Sequence, residues 1–261
     1  MPEPDPASNG IGWLRATVSR FANGPVHARR RAIVEELVAG VDPGDLRRPY
    51  AGHPVAPLAR ALGVTEPAIV NVVADVRVAA AAYQTGDTAA DPAVDRLVSV
   101  FGGRYDEATA AHIQLLVQAC DATASLIERT RTRMSGERAR THTRDERART
   151  HTPDERARTH TSDERARTNT RDERARTHNP DERARTHTSD ERARTNSRDE
   201  RARMSTVDEV LRDDPPVLAT RRVDPDGNVV AVSLSGMPFG AGPRACPGRE
   251  LAMALVEGAL R

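Results

Sequence analysis

From Gly136 to Arg203 the chain repeats every nine residues: Asp-Glu-Arg-Ala-Arg recurs in seven identical copies beginning at Asp145, Asp154, Asp163, Asp172, Asp181, Asp190 and Asp199, and a variant copy begins at Gly136. The residue before each Asp cycles through Arg144, Pro153 and Ser162 and then begins again at Arg171, the mark of tandem duplication of a three-unit block. Stacked repeat folds need an apolar face to bury against their neighbours, and these units offer only alanine and the threonine methyls. On a helix nine residues turn through about 900°, so successive units face opposite sides and no continuous stripe forms. Pairs such as Asp145 with Arg149, four apart, add roughly 0.2–0.5 kcal/mol each. Two states stay open for this segment: short solvated helices, interrupted or restarted at Pro153 and Pro180, or disorder. Either way, the core must be built from the flanks.

The flanks are rich in Ala, Val and Leu between Ala56 and Ile127 and again after Leu251, with aromatic residues at 3% and hydrophobic residues at 38% of the chain. That composition predicts a mainly α fold with a small β part. Periodicity, glycine and proline place helices over Val26–Ala39, Ala56–Leu62, Pro67–Tyr83, Pro92–Phe101 and from Asp106 to about Arg133. A short helix is predicted near Val207 to Arg212. A hairpin follows, with Asp224-Pro225-Asp226-Gly227-Asn228 as the turn before Val229–Leu234, and then a helix from Arg249 onward. The chain thus divides into a helical part (1–135), the repeat (136–203) and a C-terminal segment (204–261).

Charge excludes little but weakens one class. The formal net charge is +1, and the repeat holds nineteen Arg against fifteen acidic residues, interleaved, so nothing concentrates a basic face for nucleic acid. Five of the eight histidines lie in the repeat (His142, His151, His160, His178, His187), at a spacing that does not converge ligands on one helix face. Met1 to Asn9 is acidic and proline-rich without a leader's basic and apolar regions, and no apolar run reaches membrane-spanning length, so a soluble cytoplasmic protein is expected. Cys120 and Cys246 stand in different contexts and make no disulfide framework.

Cys246 stands in the most informative stretch, Phe239-Gly240-Ala241-Gly242-Pro243-Arg244-Ala245-Cys246-Pro247-Gly248, just before the apolar segment from Glu250 to Leu260. Two glycines and a proline make a rigid loop free of bulky side chains, letting backbone approach a flat ligand. Cys246 then precedes a helix N-terminus, where unsatisfied amides and the dipole favour a thiolate. Arg244 adds a fixed positive charge suited to an anionic group. The alternative from the residues alone is a glycine-rich loop around an inert cysteine.

The stretch matches FGxGxRxCxG, the heme-binding signature of the cytochrome P-450 family, at all six fixed positions. The resemblance implies an incomplete cytochrome P-450-like helical fold interrupted by the repeat, binding heme b as cofactor, with Cys246 as the iron's thiolate ligand. By the same resemblance Arg244 meets a heme propionate, Phe239 packs beside the sulfur, Gly240 and Gly242 shape the loop, and Gly248 lets the last helix run close under the porphyrin. Glu209-Val210-Leu211-Arg212 resembles the family's ExxR, a buried Glu209–Arg212 ion pair. Arg221, beyond Asp213-Asp214-Pro215-Pro216, resembles the strand arginine that reaches a propionate. Ala119-Cys120-Asp121-Ala122-Thr123 resembles the oxygen-binding stretch, with Thr123 and the displaced Asp121 as proton-delivering candidates; Cys120 replaces a glycine, and Ala122 stands where the acid belongs. His27 and Arg31 resemble the C-helix HxxxR that contacts the propionates, and four residues put them on one helix face.

What the resemblance implies is a heme-dependent monooxygenase, oxidising a small organic substrate with O₂ and electrons from a ferredoxin-type partner. Parts familiar in the family are absent: an N-terminal sheet, the helices that the repeat displaces, and the meander whose arginine completes the ExxR network. From these gaps follows the expectation of a weakly held or solvent-exposed heme. A second reading is a non-catalytic remnant whose charged repeat acts at most as an interaction tether.

Overall fold

The computed structural model describes residues 9–150, 180–223 and 228–261. Pro153 and residues 224–227 of the predicted turn lie outside them, as do most of the central repeat units and residues 1–8. The chain divides into two units, Met1–Arg133 with Met204–Arg261, and Met134–Arg203. The first carries the core described below. The described residues are mainly helical, with one two-stranded sheet.

Six helices precede the long one: α1 (Gly10–Thr17), α2 (Gly24–Ala39), α3 (Pro43–Leu46), α4 (Val55–Ala61), α5 (Ala68–Ala82) and α6 (Asp91–Val100). In α5 the residues Ile69, Val72, Val76 and Ala79 recur at three- and four-residue spacing, and all are buried. Asp75 falls within the same stripe. It is buried because Arg96 of α6 takes its carboxylate with both Nε (3.0 Å) and Nη2 (2.6 Å), which offsets the cost of removing a charge from water. Val94, Leu97 and Val98 of α6 complete the contact with the core.

α1 and α3 were not predicted. Asn9 makes no side-chain cap for α1; the amides of Gly10 and Ile11 are instead accepted by Asp95 Oδ1 (3.0 Å) and Asp91 Oδ1 (2.8 Å), eighty or more residues away. A cap supplied by tertiary contact leaves no local signal.

α7 spans Glu107–Thr150 and α8 spans Pro180–Asp213. The long helix predicted to stop near Arg133 therefore continues into the repeat, and the short helix predicted over Val207–Arg212 is the last part of a longer one. The repeat units at both ends belong to long helices rather than short ones. Extending an existing helix needs no new nucleus, and the Ala, Arg and Glu of each unit favour it. Pro180 is the first described residue of α8. No described helix is long and apolar enough to cross a membrane.

β1 (Ala219–Val223) and β2 (Val229–Ser233) pair antiparallel, from Ala219 opposite Ser233 to Val223 opposite Val229. Then α9 (Arg249–Leu260) returns to the core. It lies against α3 so closely that a Cβ on Gly258 would stand 2.8 Å from the Arg48 carbonyl oxygen. Tyr50 donates to the Leu255 carbonyl at 2.8 Å and Arg47 pairs with Glu257 at 3.0 Å, fixing the same crossing. Along α7 the core changes partner. Ile113, Leu116 and Cys120 join the main cluster, whereas Leu126 and Ile127 pack with Val207, Val210 and Leu211 of α8 and Val256 of α9. α7 thus serves as the spine beside which the C-terminal segment is laid.

Candidate functional site

The loop between β2 and α9 closes on itself through backbone bonds. The amide of Cys246 donates to the Phe239 carbonyl at 2.8 Å, Gly240 to Met237 at 2.8 Å, and Ala245 to Gly242 at 3.0 Å across a single 3₁₀ turn, Gly242–Arg244. Gly240 and Gly242 have φ of 69° and 64°, a region that glycine enters without the Cβ penalty. The sequence thus folds here into a narrow ring of backbone, with the Cys246 side chain exposed. Phe239 is held from one side by the Arg249 guanidinium, 5.4 Å from its ring centre.

This loop borders a cavity of about 790 Å³. Phe239, Gly240, Arg244, Cys246 and Gly248 line it, together with Asp121, Ala122 and Thr123 of α7, His27 and Arg31 of α2, and Arg221 of β1. Residues singled out in four separate stretches of sequence therefore share one cavity. Thr123 is buried and Asp121 exposed within this lining. Cys120 is absent from it and fully buried, its sulfur 3.9 Å from His53 Nε2. Burial pushes the Cys120 thiol up to about 12, with the neighbouring Asp121 carboxylate adding to the rise. Burial likewise lowers His53, helped by the charge of Arg77 and opposed by Asp121. Both groups are neutral at pH 7.

At Cys246 the influence of the helix N-terminus is opposed by burial. The hydrogen bond from the Gly248 amide and the charge of Arg31 pull its thiol down, but removal from water is the larger effect and pushes it up. The sulfur is reachable from the cavity, yet the loop crowds it on its other sides. An additional cation beside the sulfur would reverse that balance.

Gly242 stands outside the lining; its contribution is the turn. A Cβ on Gly248 would meet Leu115 Cδ1 at an ordinary 3.7 Å, so packing within the protein does not demand glycine there.

The buried Glu209–Arg212 pair is corrected. Glu209 is partly exposed and pairs with Arg133 of α7, Nε to Oε2 at 3.2 Å, while a second nitrogen of Arg133 takes Asp213 at 3.1 Å. Among the described residues no ion pair joins Glu209 to Arg212; Arg212 is exposed and borders a second, smaller cavity of about 380 Å³ with Asp208, Phe239 and Arg249. Residues three apart on a helix lie only about 60° apart around it, within pairing reach, so the pair is given up here because Arg133 of another helix takes Glu209. Arg129, one turn before Arg133, pairs with Asp214 in the same way.

The cavity also holds residues that no motif marked. Arg20 lies in the 3₁₀ turn Ser19–Phe21, and Thr220 of β1 carries a buried hydroxyl with no partner. Tyr83, raised to about 12 by burial, accompanies Gln118, which donates to its oxygen at 3.3 Å. None carries a local signal, because their place in the lining comes from the packing of distant segments.

Among the described residues, no three His, Cys, Asp or Glu side chains converge as a protein-only metal site. Comparison of the chain with protein-family models, with curated proteins and with solved structures found no match.

Proposed function

We propose that this chain is a heme-thiolate monooxygenase resembling the cytochrome P-450 family, oxidising a small organic substrate with dioxygen and electrons from a ferredoxin-type donor. One observation carries the reading: the Cys246 loop, the Asp121–Thr123 stretch of α7 and a set of cationic side chains all line a single cavity. Its volume of about 790 Å³ falls within the range of roughly 300–1,000 Å³ typical of cofactor and ligand pockets.

The residues fit such a group. One accessible thiol is the donor a porphyrin iron needs from the protein, since the macrocycle supplies four ligands itself. Arg244, Arg221, His27 and Arg31 border the same cavity and suit two propionate carboxylates. When bound, heme supplies the activation of dioxygen, so that one oxygen atom enters the substrate and the other leaves as water.

The chain's own groups do the rest. The backbone ring at Phe239–Cys246 would fix the sulfur's direction, and the nearby Gly248 amide favours its thiolate form, which would tune how strongly it pushes electron density. The Thr123 hydroxyl, buried in the lining, would hold a proton beside the bound group, and the exposed Asp121 carboxylate two residues earlier in the same lining would exchange protons with water. Apolar side chains such as Val117, Leu58 and Leu234 leave room for an organic substrate.

The test is the reduced, CO-bound difference spectrum of the heme-supplied protein beside Cys246→Ala. A strongly red-shifted Soret band in the wild type that the variant lacks supports the reading. No heme uptake, or a band that the variant shares, replaces it with a non-catalytic remnant in which the loop survives without its chemistry.

A further inference from the structure

Of the guanidinium groups that line the cavity, Arg31 pairs with Glu35 at 2.7 Å, whereas Arg20 and Arg244 sit on no carboxylate among the described residues. Elsewhere in the first unit Arg29, Arg30, Arg47 and Arg96 each sit on an acidic side chain. In the cavity lining Asp121 is the one acidic residue, and it pairs with neither Arg20 nor Arg244. A half-buried guanidinium deprived of both full hydration and a counter-charge is costly, so its retention points to an anion that arrives from outside the chain.

Arg244 is not free to swing away. Its Nη2 donates to the Ala22 carbonyl at 3.0 Å and to Asn23 Oδ1 at 2.9 Å, which pins the guanidinium against the backbone just after Arg20. Arg20 makes no hydrogen bond or ion pair among the described residues. Two like charges are thus held at one part of the cavity wall, and the proximity of Arg20 lowers Arg244 in addition to the effect of burial. With one nitrogen of Arg244 committed to the backbone and to Asn23, its remaining donors and those of Arg20 provide the two-sided geometry that a carboxylate accepts.

We infer that Arg20 and Arg244 form a carboxylate clamp in the wall of the cavity, Arg20 being a binding residue outside the signature loop. The carboxylate comes either from a propionate of the cofactor or from an organic substrate. The first source rests on the heme-thiolate reading; the second does not.

The test measures binding rather than turnover, on the full chain and on Arg20→Gln and Arg20→Lys. Heme and heme dimethyl ester are titrated by Soret absorbance, and decanoate and decanol are titrated into heme-free protein by calorimetry. Arg20→Gln is expected to weaken one of the two acids about tenfold, the loss of a charge-assisted contact, while its uncharged counterpart stays within about twofold and Arg20→Lys recovers part of the loss. A loss for heme but not decanoate assigns the clamp to the cofactor; the converse assigns it to an organic acid. Should the wild type take up no heme yet bind decanoate in an Arg20-dependent way, the heme-thiolate reading fails and the clamp stands. Equal losses for acid and uncharged partner, no loss for either acid, or a wild type that binds neither acid would each overturn it.

Discussion

Arg133 of α7 holds Glu209 of α8, Nε to Oε2 at 3.2 Å, and takes Asp213 one turn later at 3.1 Å, so that one arginine pins the end of α8 to α7. Both partners are about a third or more exposed, which limits the contribution through solvent screening. Arg133→Ala is expected to cost on the order of 1 kcal/mol in urea or thermal unfolding, and Arg212→Ala to stay within about 0.5 kcal/mol. The reverse order would restore Arg212 as the structural partner of Glu209.

Gly258 offers a sharper test of packing. A Cβ there meets the carbonyl oxygens of Leu46 and Arg48, which are backbone and cannot rotate away. Gly258→Ala is therefore expected to destabilise by roughly 1–3 kcal/mol, visible as a lower Tm, whereas the same change at Gly136, with open space around it, should leave Tm unchanged or raised. Equal Tm values for the Gly258 variant and the parent would contradict the close crossing of α9 over the segment after α3.

Glu107 begins α7 and accepts from Arg29 and Arg30, which hold its carboxyl down to about 2. Because its folded value lies below the unfolded one near 4.5, its contribution is fully present above pH 4.5 and disappears as pH falls toward 2. Unfolding free energies of the wild type and Glu107→Gln should therefore differ at pH 7 by about 1 kcal/mol and converge near pH 2. A gap that persists at pH 2 would trace the effect to packing rather than charge.

Every residue lining the larger cavity belongs to Met1–Arg133 or Met204–Arg261. On the proposed heme-thiolate reading, replacing residues 136–203 by a short flexible linker is expected to leave heme uptake and the CO-difference band within about twofold of the parent, since no side chain of the cavity is removed. Loss of the band in a folded deletion variant would give the repeat a part in holding the site.

Much of the helical pattern was legible. α5, α6 and the start of α7 carry apolar residues at helical spacing between glycine and proline punctuation, and the β1–β2 hairpin follows from its turn residues and β-branched run. α1 was not legible, because Asp91 and Asp95 cap it from another helix. The extent of α7 and α8 into the repeat was not legible either: units without an apolar stripe do not announce a helix, yet they prolong one already nucleated.

For the site, sequence determined the chemistry available. The order of two glycines, Arg244 and Cys246 dictates a tight loop that carries one thiol and one arginine. Tertiary structure decided what meets that thiol. Packing brings α2, α7 and β1 to one cavity, gives Glu209 to Arg133, turns Cys120 away from the lining and adds Arg20 to it. The division has a physical cause. Turn geometry and helix periodicity arise from contacts a few residues apart, which a local pattern records, whereas the neighbours of an arginine are set by which helix faces bury together across a hundred residues or more.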